Sequence, residues 1–148
     1  MPLTNTWATI KTSITNMQPT GNTNQGIGLA WGWMTLTSGV PFNPPAKDPN
    51  YTNKDVIILL SDGLNTQNRW YAHASQIDAR QKILCDNAKA ANITIYTVQV
   101  NTGSDPTSSV LQYCASGTDK FYLVTSASQT MTVFNSIGTS LSKLRVAK

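Results

Sequence analysis

The strongest constraint in this sequence is a short apolar run, Val56-Ile57-Ile58-Leu59-Leu60, ending at Ser61-Asp62-Gly63. Five consecutive β-branched and leucine residues have no polar face, so the run suits a strand covered on both sides. It is far too short to span a bilayer, which takes about 20 residues. Two more apolar strand patterns follow, at 93–100 and 121–125. Helical patterns fall before, between and after the three: 4–18, the Gly-rich stretch containing Ile27, Ala30, Trp31 and Met34, 74–91, a short one at 107–115, and 129–145. In the first, Trp7, Ile10, Ile14 and Met17 form one apolar stripe, and Pro19 stops the helix. In the last, Met131, Phe134, Ile137, Leu141 and Leu144 recur at helical spacing. Strands alternating with helices predict right-handed βαβ units, a parallel sheet and an α/β/α sandwich. A segment with four prolines, 38–53, reads as loop, and so does the polar stretch 64–70. Three such strands make a small sheet with apolar edges, so a further central strand is expected beyond those visible.

Composition narrows the function. The 148 residues suit one domain. Charged residues are 12%, about half the usual ~25%. With 20 Thr, 13 Ser and 13 Asn, the surface is solvated by neutral hydroxyls and amides, as in secreted or cell-surface bacterial proteins. All seven acids are Asp. The absence of Glu excludes a Glu general acid, an HExxH zinc protease and a Glu-bearing capping box. The lone histidine, His73, excludes a multi-histidine metal site. No third group with recognisable spacing orients His73 toward either cysteine, so no nucleophile motif is present and no enzymatic activity is expected. The net charge of +4 is spread along the chain without a basic run, which argues against a nucleic-acid partner. The first residues lack a charged and then apolar leader, so no signal peptide is expected within the sequence.

Thr23 and Asp62 are the sharpest candidate pair. Thr23 sits in the turn Gly21-Asn22-Thr23-Asn24 before a helix, and Asp62 follows a strand. Ligands of open parallel sheets bind outside the carboxyl ends of strands. A hydroxyl and a carboxylate there suit a hard divalent cation. They equally suit a helix N-cap and an Asp-Gly turn. Cys85 and Cys114 could pair or could be two separate buried thiols.

Gly21-Asn22-Thr23-Asn24 before a Gly-rich helix, together with the run from Val56 to Gly63, resembles a von Willebrand factor A domain. Trp31-Gly32-Trp33, Leu64-Asn65-Thr66, Arg69-Trp70, Ile77-Asp78-Ala79-Arg80, Cys85-Asp86-Asn87, Tyr96-Thr97-Val98 and Cys114-Ala115 extend it. The ordered set is similar to the carboxy-terminal region of TadG-like pilus-assembly proteins of the Flp/Tad tight-adherence system, from residue 3 to residue 148.

The resemblance implies a single truncated domain over 1–148, a three-layer α/β/α Rossmann-like fold holding the last three parallel strands of an A-type domain and their helices. It implies a protein-binding or adhesion module with a metal-ion-dependent adhesion site. The alternative is a structural scaffold with a vestigial site. Of the family's three metal loops, the second matches Thr23 and the third matches Asp62. The first, Asp-x-Ser-x-Ser, is absent; the near match Asp105-Pro106-Thr107-Ser108-Ser109 comes late. Mg²⁺, or Mn²⁺ or Ca²⁺, is therefore expected in the intact parent domain and none on this chain alone. Asn24, Asn65 and Trp70 are the expected ligand surface, with a protein ligand or pilus-assembly component as partner. The resemblance places the protein on the periplasmic or cell-surface face of the inner membrane, anchored by an upstream segment. Disulfides persist there, so Cys85 and Cys114 are expected to be bonded. Self-association through the exposed edge of strand 55–60 is expected as well.

Overall fold

The computed structural model describes residues 3–103 and 105–143. Its centre is a parallel sheet of β1 (Val56–Ser61), β2 (Thr94–Val100) and β3 (Phe121–Val124), in that order. Ile57 lies opposite Ile95 and Leu59 opposite Thr97, while Val98 faces Tyr122 and Val100 faces Val124. The helices are α1 (Trp7–Thr15), α2 (Gln25–Met34), α3 (Ala74–Ala90), α4 (Ser109–Cys114) and α5 (Ala127–Lys143), with a 3-10 turn at Thr118–Lys120.

The sheet separates two apolar clusters. On one face Ile57, Leu59 and Ile95 bury against Leu29 of α2, Cys85 and Ala88 of α3, and Val110, Leu111 and Cys114 of α4. On the other, Tyr96, Val98 and Val124 meet Ile137 of α5. This is the three-layer α/β architecture expected from the alternating pattern. Trp33 packs on the first cluster, whereas Trp31 is half-exposed and meets Phe42 edge-on at 5.5 Å.

Element boundaries moved where side-chain capping outweighs periodicity. α5 begins at residue 127, not 129, because Ser126 caps it: its Oγ accepts from the Gln129 N–H at 3.3 Å. Gln129 Oε1 in turn accepts from the Thr125 N–H at 2.6 Å. The face of α5 turned to the sheet is Val133, Ile137 and Leu141, an i, i+4, i+8 ladder, while Met131 is exposed. The expected helix end at 145, with Leu144, lies outside the described residues. α4 is shorter than expected because Ser108 caps it, accepting from Leu111 N–H at 3.3 Å.

α1 forms within the expected span but ends at Thr15, ahead of Pro19. Its apolar stripe buries nothing: Trp7 is 83% exposed and Ile14 and Met17 are exposed too. Cys85 and Cys114 are joined by a disulfide, with Cα atoms 5.2 Å apart. Among the described residues, no helix is long and apolar enough to cross a membrane.

Candidate functional site at the carboxyl end of the first strand

β1 delivers its last residue, Ser61, into a buried polar network that joins three elements. Gln25, the first residue of α2, donates through Nε2 to Ser61 Oγ at 3.0 Å and to the Gly63 carbonyl at 2.9 Å. Its backbone N–H donates to Asn65 Oδ1 at 2.8 Å. Asn65 Nδ2 donates onward to Asp78 Oδ1 at 2.7 Å and Gln81 Oε1 at 2.8 Å, both on α3. Gln81 Nε2 returns to Gln25 Oε1 at 3.2 Å. The ring of bonds satisfies the first N–H of α2, that of Gln25, which has no partner within the helix. It also fixes the loop after β1 against two helices.

Thr23 and Asp62 flank this network. Thr23 is half-buried, and its backbone pairs with Thr66: Thr23 N–H donates to Thr66 Oγ1 at 2.9 Å, and Thr66 N–H to the Thr23 carbonyl at 3.0 Å. Asp62 is exposed, and no hydrogen bond or ion pair among the described residues engages its carboxylate. The helix cap that Thr23 could have supplied comes from Asn24, whose side chain accepts from Ile27 N–H at 3.3 Å. The loop after β2 reaches the same edge. A Cβ placed on Gly63 would lie 3.9 Å from the Asp105 carboxylate.

Of the expected ligand surface, Trp70 is in the open at 78% exposure. Asn65 is not: it is 3% exposed, with both ends of its amide bonded internally. A short polar side chain in a loop looks solvent-facing in sequence, and only the approach of α2 and α3 turns it inward. Gln25, Asp78 and Gln81 escaped the sequence reading. Their only local signal is the i, i+3 spacing of Asp78 and Gln81 on one side of α3.

Hydroxyl and carboxylate oxygens are the right donors for a hard cation. Among the described residues, no three His, Cys, Asp or Glu side chains are grouped to hold a metal. Thr23 and Asp62 offer two of the oxygen donors that such a site takes.

No protein-family model matches this chain, and no curated sequence does. Its fold is similar to solved structures of proximal thread matrix protein 1 from the mussel byssus. One crystal form aligns with 20% identity and a TM-score of 0.60 over 93% of this chain and 30% of that one. A second structure of that protein aligns with 21% identity and a TM-score of 0.57 over 88% and 28%. A third, with its MIDAS motif occupied by zinc, gives 20% identity and a TM-score of 0.60 over 93% and 30%. The chain thus spans less than a third of that protein's length. At this identity the likeness establishes architecture, and the architecture is that of a partial von Willebrand A-like fold with three parallel strands.

Proposed function

We propose that this chain is the latter part of a von Willebrand A-type module that binds a protein ligand, and that Thr23 and Asp62 form its share of a metal-dependent adhesion site. The observation that carries the reading is the docking of the α2 amino terminus onto the loop after β1, which brings the segments of Thr23 and Asp62 to the carboxyl end of one strand. The zinc-occupied MIDAS motif recorded for the mussel thread protein supports a divalent ion in this fold. The ordered motifs from Trp31 to Ala115 support the narrower assignment to a TadG-like pilus-assembly protein on the outer face of the inner membrane. The module acts by binding, without enzymatic chemistry.

Titration calorimetry tests this. Mg²⁺ or Mn²⁺ added to the chain gives weak, non-saturating heats, since two ligands leave most of the coordination shell to water. A tight stoichiometric site abolished by Asp62→Ala would overturn the half-site reading. In a longer parent bearing Asp-x-Ser-x-Ser, the same titration gives a stoichiometric site that Asp62→Ala removes. No uptake there would favour a scaffold with a vestigial site.

A further inference from the structure

An open groove of about 700 Å³ runs between α2 and α3, bordered by the turn at residues 68–71. Both helices contribute apolar side chains to its lining. Ile77 is buried, Ala30 and Leu84 are half-buried, and Ile27 and Ile83 are exposed. Arg80, Ile83, Leu84 and Asn87 follow one another at i, i+3, i+4 and i+7, so they form one face of α3.

The groove carries charge of one sign. Arg69 and Arg80 line it, and no carboxylate does. Neither guanidinium makes an ion pair with a described residue. Arg69 lies 5.7 Å from the Trp70 ring. Arg80 lies 5.9 Å from the Tyr71 ring and donates to its hydroxyl at 3.4 Å. The turn that displays these aromatics is built. Asn68 Oδ1 accepts from the N–H groups of Trp70 at 3.0 Å and Tyr71 at 2.8 Å, and Asn68 N–H donates to the Tyr71 carbonyl at 2.8 Å. Asn68 thus fixes the turn on which the exposed Trp70 is displayed.

Arginine and tryptophan are the residues that most often dominate binding energy at protein interfaces. The guanidinium fork matches a carboxylate in two parallel hydrogen bonds. A small anion or a sulfated sugar would use the arginines and leave the isoleucines in water. An extended peptide satisfies both features. We propose that the α2–α3 groove docks a peptide segment of a partner protein in which carboxylates flank apolar side chains. The carboxylates pair with Arg69 and Arg80, and the apolar side chains cover Ile27, Ile83 and the Trp70 ring. This surface needs no cation, and it shares Asn24 and Trp70 with the ligand surface expected beside the metal edge.

The probe is a pool of fluorescein-labelled peptides with an Asp-apolar-apolar-Asp core, beside matched pools carrying Lys or Asn in place of Asp, all in EDTA. The acidic pool raises the anisotropy, binding weakens with salt, and amide shifts concentrate at Ile27, Trp70, Arg80 and Ile83. Arg69→Glu and Arg80→Glu each weaken binding roughly ten- to a hundredfold, the weight of one charge-assisted hydrogen bond. Arg80→Lys retains part of it, and unchanged circular dichroism shows that the variants fold. Equal binding of the three pools, no binding of the acidic pool up to about 1 mM, or undiminished binding by both Glu variants would overturn the proposal. So would a heparin oligosaccharide that binds through the two arginines more tightly than the acidic pool. Because EDTA is present throughout, any of these failures leaves the metal-edge reading standing.

Discussion

Asn65 and Asp62 lie three positions apart and do opposite work. Asn65 closes the ring that links α2, α3 and the loop after β1. Asn65→Leu keeps a similar volume but strands the Gln25 N–H and the Gln81 amide oxygen in a buried site. Each unpaired buried group costs about 1–3 kcal/mol, so the expected loss in urea unfolding is about 2–6 kcal/mol. Asp62 is exposed and, among the described residues, its carboxylate has no hydrogen-bond or ion-pair partner, so Asp62→Ala is expected to change stability by no more than about 0.5 kcal/mol. Any effect of Asp62→Ala on ligand or metal binding in a parent domain is then a chemical effect and not a folding one. A large loss of stability from Asp62→Ala would place that carboxylate in the architecture instead.

At the scale of elements, the helices differ in what holds them. α3 and α4 are pinned by the Cys85–Cys114 disulfide, whose partners are both fully buried and 29 residues apart. Closing a loop of that length stabilises by roughly 3–4 kcal/mol in the chain-entropy model. Cys85→Ala combined with Cys114→Ala is expected to lower the unfolding free energy by about that amount. Intact mass with and without reductant, after alkylation, detects the bond in protein made under oxidising conditions. Two free thiols in the unreduced sample would refute it. α1 is the contrast. Its apolar stripe is plain in the sequence, yet Trp7, Ile14 and Met17 face water. Periodicity reports that a helix has a side to bury and is silent on whether a surface stands ready to receive it.

In the whole molecule, the two faces of the sheet are unequally covered. Against α2, α3 and α4 the side chains of Ile57, Leu59 and Ile95 are buried. On the α5 side Val56 and Ile58 of β1 are only half-buried, and Leu60 is 44% exposed. Among the described residues β1 is also an edge strand, paired only with β2. An apolar edge recruits other strands, so we expect the chain to self-associate, most simply as a two-fold dimer through β1. Light scattering over a concentration series reads the mass directly, and Leu60→Lys is expected to shift it toward the monomer. A monomer at high concentration whose β1 amides exchange slowly would show that the edge is protected from within the chain.

The sequence by itself determined the class of fold and the kind of each element. Apolar runs without a polar face require strands covered on both sides, and the helical patterns between them require a parallel order. These are local signals, written in spacings of a few residues. The long-range ones were beyond its reach. Gln25, Asn65 and Gln81 are separated by 40 and 16 positions, yet bond as one unit. Ile27 on α2 and Arg80 on α3 line one groove only because those helices pack side by side. Thr23 and Asn24 look equally suited to capping, and the backbone pairing of Thr23 with Thr66 leaves the cap to Asn24. Only the packed tertiary structure decides which polar groups lose their water, and a buried polar group must then find a protein partner wherever the fold has placed one.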